Sequence, residues 1–147
     1  MNDGVSETRA GDAPDGGFRD RSSAGGKSVL AIERNESTRQ LMTRALRSTY
    51  RVRAAVSYDQ GRRYAEAGRY DAVILSVYHR DLDEGIELLG AIRATEDHTA
   101  VPVILVGRPP LGRDEEALRD AGFDEVLRMP FTQSDLLAIL DRHVEGG

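Results

Sequence analysis

Short apolar runs alternate with helical periods along this chain, and that alternation limits its fold more than any other feature. Val29-Leu30-Ala31-Ile32 reads as a buried strand. Asn35-Glu36-Ser37-Thr38 then offers helix-capping side chains, and Leu41, Met42, Ala45 and Leu46 recur at helical spacing. Tyr50 to Val56 predicts a second strand, and a helix over Tyr58–Ala67 is stopped by Gly68. Ala72 to Ser76 predicts a third strand, followed by a polar loop, Val77–Glu84, and a helix marked by Ile86, Leu88, Leu89 and Ile92. Pro102 opens Val103-Ile104-Leu105-Val106. Pro109 and Pro110 lead into a charged helix with Ala117, Leu118 and Ala121 inside, ended by Gly122. Glu125–Leu127 is a short fifth strand, and Leu136, Leu137, Ile139 and Leu140 give the last helix.

Five strands alternating with five helices predict an α/β fold: a doubly wound parallel sheet covered on both faces. Right-handed crossovers leave few topologies, and at this length the flavodoxin-like (βα)5 strand order 2-1-3-4-5 is the expected one. Working groups in such sheets gather at the carboxyl ends of the strands. Here those ends are Glu33-Arg34, Ser76, Gly107-Arg108 and Arg128-Met129.

The remaining sequence sets bounds. A length of 147 residues with 39% hydrophobic content suits one domain, placed at residues 28–144. Residues 1–27 are rich in Gly, Asp, Arg and Ser without apolar period and predict a disordered tail; residues 145–147 form a short C-terminal tail. Ala24-Gly25-Gly26-Lys27-Ser28 imitates the end of a phosphate-binding loop, but Arg21 stands where the motif needs glycine and the stretch precedes a strand. A net charge of −5 argues against nucleic acid as the main partner. The absence of cysteine excludes disulfides and thiolate chemistry. No apolar run reaches spanning length and no signal-like stretch opens the chain, so a cytoplasmic protein without membrane contact is expected. Lys27 is the only lysine, which leaves the folded part without an amine.

Several segments, in order and spacing, resemble the receiver domain of bacterial response regulators. They are Val29 to Glu36, Asp71 to Leu75, Gly85-Ile86-Glu87-Leu88-Leu89, Pro102-Val103-Ile104, Ala121 to Glu125 and Met129-Pro130-Phe131. The resemblance covers about residues 28–144 and implies phosphoryl transfer to an aspartate: a carboxylate nucleophile, an acidic cluster for Mg²⁺, and a hydroxyl and a lysine that hold the phosphate. Carried over residue by residue, each part is changed. The acidic pair falls on Glu33 and Arg34, the phosphoacceptor on Ser76, the hydroxyl on Gly107 with Arg108 next to it, the switch aromatic on Val126 and the lysine on Met129. Arg80 stands where proline is usual, and Asp83-Glu84-Gly85 carries one extra residue.

The resemblance therefore implies a degenerate, pseudo-receiver type: a stand-alone signalling domain, not an enzyme, with no catalytic residue and no bound Mg²⁺. It would act through a signalling protein or a second copy of itself. The alternative is a phosphorelay regulator still phosphorylated at Ser76 or at a loop carboxylate, Asp81 or Asp83; His79 lies in the same loop. Asp71, five residues before Ser76, should point to the other sheet face. Arg34 is expected to pair with Glu33 or a loop aspartate; otherwise Arg34, Arg108 and the Ser76 hydroxyl would hold a small anion. Strand alternation sets Arg128 and Met129 on opposite faces. The region of the fourth helix, fifth strand and fifth helix, where family members meet partners, carries Asp114, Glu115, Glu116, Arg119, Asp120, Asp135 and Arg142. There is no glycine-rich turn after the first strand and no nucleophile–base pair, which argues against a small enzyme on this fold.

Overall fold

The computed structural model describes residues 26–78, 80–108 and 115–144. The proposed tails, apart from Gly26 and Lys27, lie outside them, as do His79, Pro109, Pro110 and Asp114. Strands β1 (Ser28–Ile32), β2 (Arg51–Ala55), β3 (Ala72–Val77), β4 (Val103–Gly107) and β5 (Glu125–Arg128) form one parallel sheet in the order β2-β1-β3-β4-β5. Helices α1 (Glu36–Leu46), α2 (Tyr58–Ala67), α3 (Leu82–Arg93), α4 (Glu115–Ala121) and α5 (Gln133–Val144) alternate with them, and a 3₁₀ turn at Glu96–His98 precedes β4. The predicted topology is the observed one.

Two apolar clusters lie on the two faces of the sheet. Leu30, Ile32, Val73, Leu75, Val103 and Leu105 pack with α2 and α3, through Ala65, Leu89 and Ile92 among others. Val29, Ile74, Ile104 and Val106 pack with α1 and α5, through Met42, Leu46, Leu136 and Leu140. Both faces are covered, so β1, β3 and β4 are buried throughout their length and mostly apolar instead of alternating.

Local chemistry sets the helix starts. Asn35 accepts a hydrogen bond from the Thr38 N–H at 2.9 Å, as a cap should. Ser57 accepts from the Gln60 N–H while Gln60 accepts from the Val56 N–H, a reciprocal box that opens α2. Thr132 and Asp135 form the capping box of α5. Helix α2 lies close to β1 at Gly61, where a Cβ would stand 2.6 Å from Ile32 Cδ1. Gly85 does the same for α3 against β3: a Cβ there would meet Val77 Cγ1 at 2.5 Å.

Some expectations need correction. Leu41 is 61% exposed, because Met42, Ala45 and Leu46 take the inner face of α1 and Leu41 lies one residue, about 100° of helix rotation, away from Met42. Val56 is outside β2 and half exposed. Strand β3 runs one residue past Ser76, and α3 begins at Leu82, so Asp83 and Glu84 are helical instead of belonging to a loop. Lys27, assigned to the tail, already accepts the Arg51 N–H on its carbonyl at the start of the sheet. Among the described residues no helix is long and apolar enough to cross a membrane.

Candidate functional site

The carboxyl ends of β1 and β3 bring Glu33 and Ser76 side by side. Ile32 is in register with Leu75, so the next residue of each strand, Glu33 and Ser76, continues that pairing. Both are buried, Glu33 fully and Ser76 at 1% exposure. A buried carboxylate needs donors, and Glu33 Oε2 has two: the Asn35 N–H and the Tyr78 hydroxyl, each at 2.8 Å. Arg39 donates to the Glu33 carbonyl at 2.9 Å and fixes the turn from β1 into α1. Two buried oxygens are left over, Glu33 Oε1 and Ser76 Oγ, and neither has a hydrogen-bond partner.

Arg34 turns away from Glu33. Its guanidinium pairs with Asp81, the residue before α3, and stacks over the Tyr58 ring with Cζ 4.7 Å from the centroid. The expected pairing of Arg34 with a loop aspartate is the arrangement found, and the Asp81 carboxylate is spent on it. Tyr58, in the first turn of α2, donates its hydroxyl to the Ser76 carbonyl at 2.8 Å. A cation–π contact, an ion pair and the Tyr58 hydrogen bond thus close the sheet edge beside Ser76.

Electrostatics follow from burial. Burial pushes the Tyr58 hydroxyl up to about 12, with Arg34 pulling weakly the other way. Burial also pushes Tyr78 up to about 12, joined by the hydrogen bond to Glu33 and by that carboxylate's charge. Both phenols stay protonated and act as donors at neutral pH.

The remaining positions separate. Gly107 ends β4 and accepts the Met129 N–H on its carbonyl at 2.8 Å. Arg108 is exposed and lies with Met129 on the side of α1. The three-donor anion site of Arg34, Arg108 and Ser76 is therefore not assembled: Arg34 is paired with Asp81, and Ser76 Oγ is sealed. Val126 is buried in the α2–α3 face of the core. Arg128 reaches Glu115 at 3.0 Å while Met129 packs against the α1–α5 face, so the two do point opposite ways. The Met129–Pro130 peptide is cis. Asp71 closes the other end of the sheet, accepting from the Ser28 N–H at 2.8 Å.

Sequence reasoning missed Tyr58, Tyr78, Arg39 and Glu125. Tyr78 was findable, since it follows Ser76 by two residues and strand alternation sends both toward one face. Glu125 is the hub of the α4–β5–α5 region, taking Arg142 at 2.8 Å and Arg119 and His143 at 3.2 Å. Burial works against its charge, but these three donors outweigh it and hold its carboxyl below the usual range.

Comparisons with known proteins agree with this geometry. The response regulator receiver domain family matches residues 29–141, and the chain belongs to that family of signalling domains. Among solved structures it is similar to the receiver domain of a sensor histidine kinase from Pseudomonas aeruginosa, which has a magnesium ion coordinated in its active-site cleft. Identity is 31% over 82% of this chain and 99% of that one, with a TM-score of 0.70. A chemotaxis protein of Vibrio cholerae shares the fold at 24% identity and a TM-score of 0.71, over 81% of this chain and 99% of that one. A response regulator from Burkholderia pseudomallei, solved with a phosphorylated aspartic acid and a calcium ion, shares it at 22% identity and a TM-score of 0.64, over 82% of this chain and 69% of that one. No curated protein matches the chain significantly.

Proposed function

We propose that this receiver domain lacks the phosphoacceptor aspartate and signals through protein contacts that do not depend on phosphorylation. The observation that carries the reading is the end of β3. Ser76 stands there, where the resemblance implies the acceptor, and its hydroxyl is buried with no base hydrogen-bonded to it. A serine without a base is a poor nucleophile.

The surroundings support the same conclusion. Magnesium needs oxygen ligands in near-octahedral geometry. The carboxylates here supply too few ligands for that demand: Glu33 Oε2 already takes two donors and leaves only Oε1 unpaired, and Asp81 is neutralised by Arg34. Arg34 replaces an acidic ligand with a fixed cation, Gly107 supplies no hydroxyl, and Met129 supplies no amine. The domain then works in the single conformation held by Tyr58, Tyr78 and the Arg34–Asp81 pair.

Incubation of the full chain with Mg²⁺ and a small phosphoryl donor, read by intact mass, tests this. The expected result is no added phosphoryl mass and no Mg²⁺-dependent change in Tyr fluorescence. A phosphorylated species mapped to Ser76, Asp81 or Asp83 would overturn the reading and make the domain a remodelled phosphorelay member.

A further inference from the structure

A groove of about 400 Å³ opens between α1 and the β5–α5 connection, next to the closed sheet edge. Leu41, Ala45, Met129, Pro130 and Phe131 give it an apolar lining, and Arg44 and Arg108 stand at its rim. The exposure of Leu41 has its place here: the side chain that α1 turns away from the core is a wall of the groove.

The two rim arginines differ from many others on the surface. Arg62, Arg63, Arg93, Arg119, Arg128 and Arg142 each pair with a carboxylate. Neither Arg44 nor Arg108 has a carboxylate partner among the described residues. Helix α1 offers Arg44 no acid one turn away, since Gln40 and Ser48 stand there. In a chain of net charge −5, two guanidinium groups without a carboxylate among the described residues, over an apolar floor, form a local site of opposite sign.

We propose that this groove binds a small organic anion: a carboxylate or sulfonate carried on a flat apolar body. Its size falls in the range of small-molecule pockets, which combine mostly apolar walls with a few convergent polar groups. The flat body lies against Leu41, Met129 and Phe131, and the acid group meets the planar forks of Arg44 and Arg108. A bare inorganic anion gains nothing from the apolar walls, and a neutral hydrocarbon leaves the arginines unpaired. The site stands whether or not Ser76 is ever phosphorylated.

The probe is 8-anilinonaphthalene-1-sulfonate, titrated by fluorescence into the folded full chain, with circular dichroism confirming that every variant keeps its fold. Saturable one-to-one binding is expected. Arg44→Gln and Arg108→Gln should each weaken it about threefold to tenfold, and Leu41→Asp by a similar factor. Arg62→Gln, on another face, should leave it unchanged. Naphthoate should compete, and sulfate at the same concentration should not. Absence of saturable binding, or affinity equal in all variants, overturns the proposal. Competition by sulfate as strong as by naphthoate also overturns it, leaving a site for a bare anion. So does self-association that Leu41→Asp abolishes in a protein that binds no naphthoate, because the groove then belongs to a second copy of the chain.

Discussion

The two ends of the sheet carry similar polar groups and treat them differently. At the amino end, Asp71 takes the Ser28 N–H at 2.8 Å, and Asp124 takes the Val103 N–H at 2.8 Å and Arg93 at 3.0 Å. Arg93 also donates to the Val101 and Gly122 carbonyls. His98, fully buried, accepts the Tyr70 N–H on Nε2 and meets the Thr95 hydroxyl with Nδ1. At the carboxyl end, Glu33 Oε1 and Ser76 Oγ have no partner. At the amino end, Asp71, Asp124 and His98 form a structural joint. The carboxyl end keeps unpaired oxygens at the place where sheets of this topology do their work, and such local inconsistency is the usual mark of a functional site.

The sharpest way to break the comparison is to cut the amino joint. Asp124→Ala leaves the Val103 N–H and one arm of Arg93 without their acceptor. Chemical denaturation should show a loss of about 1–3 kcal/mol. A loss below about 1 kcal/mol, comparable to an ordinary surface change, would mean that the two ends do not differ in the way their hydrogen bonds suggest.

His98 gives the next effect. Because Nε2 accepts from Tyr70, the ring proton is on Nδ1 and faces Thr95, whose hydroxyl donates onward to the Ile92 carbonyl. Protonating Nε2 would set N–H against N–H. Burial accordingly pushes the His98 pKa below the ordinary value, with Arg69 adding to the effect and Asp97 opposing it. The unfolded state takes up the proton near pH 6.5 and the folded state resists it, so the stability tied to His98 is full above that pH and falls as the pH drops below it. The difference in unfolding free energy between wild type and His98→Gln, followed from pH 7.5 to 5, should show that slope (~one titrating group); parallel curves would remove His98 from the amino joint.

The alkaline side tests the carboxyl end. Tyr58 and Tyr78 are both raised to about 12. The unfolded phenols ionise near 10, so their contribution is intact below about pH 10 and is lost as the pH rises toward 12. Ultraviolet titration should show two late phenol steps, one removed by Tyr58→Phe and one by Tyr78→Phe. Tyr58→Phe should also cost about 1 kcal/mol, the worth of one ordinary hydrogen bond, here to the Ser76 carbonyl. Phenols that titrate near 10 would show an edge open to water instead of closed by these rings.

The sequence made some of this legible and hid the rest for physical reasons. Strand order and helix spans follow from local periodicity and from capping residues such as Asn35 and Gly68, which act over a few residues. The placement of Glu33, Arg34 and Ser76 was visible because each sits at a strand end. Their consequences were not, because they depend on contacts between distant segments. Tyr78 reaches Glu33 across 45 positions, and Arg34 reaches Asp81 across 47. The apolar spacing of α1 placed Leu41 inside, since period alone does not fix a helix's rotation about its axis to better than one residue. The groove stayed hidden with it, because it exists only where that misplaced leucine meets the β5–α5 connection.

The smallest effect separates two serines of one sheet. Ser28 Oγ, at the amino end, lies 3.4 Å from the Arg69 carbonyl and 3.4 Å from Asp71 Oδ2. Ser76 Oγ, at the carboxyl end, has no partner. Removing a buried hydroxyl that makes no hydrogen bond relieves a desolvation cost, whereas removing one with acceptors forfeits contacts. Ser28→Ala should therefore destabilise by up to about 1 kcal/mol, and Ser76→Ala should be neutral or stabilise by a similar amount. If Ser76→Ala instead costs more than Ser28→Ala, the hydroxyl is bonded in solution. The neighbouring unpaired atom is Glu33 Oε1, so the bond would run to it directly or through a trapped water. Repeating Ser76→Ala in a Glu33→Gln background decides between these cases: coupling between the two changes would show a shared hydrogen bond, and additivity would leave both oxygens unpaired.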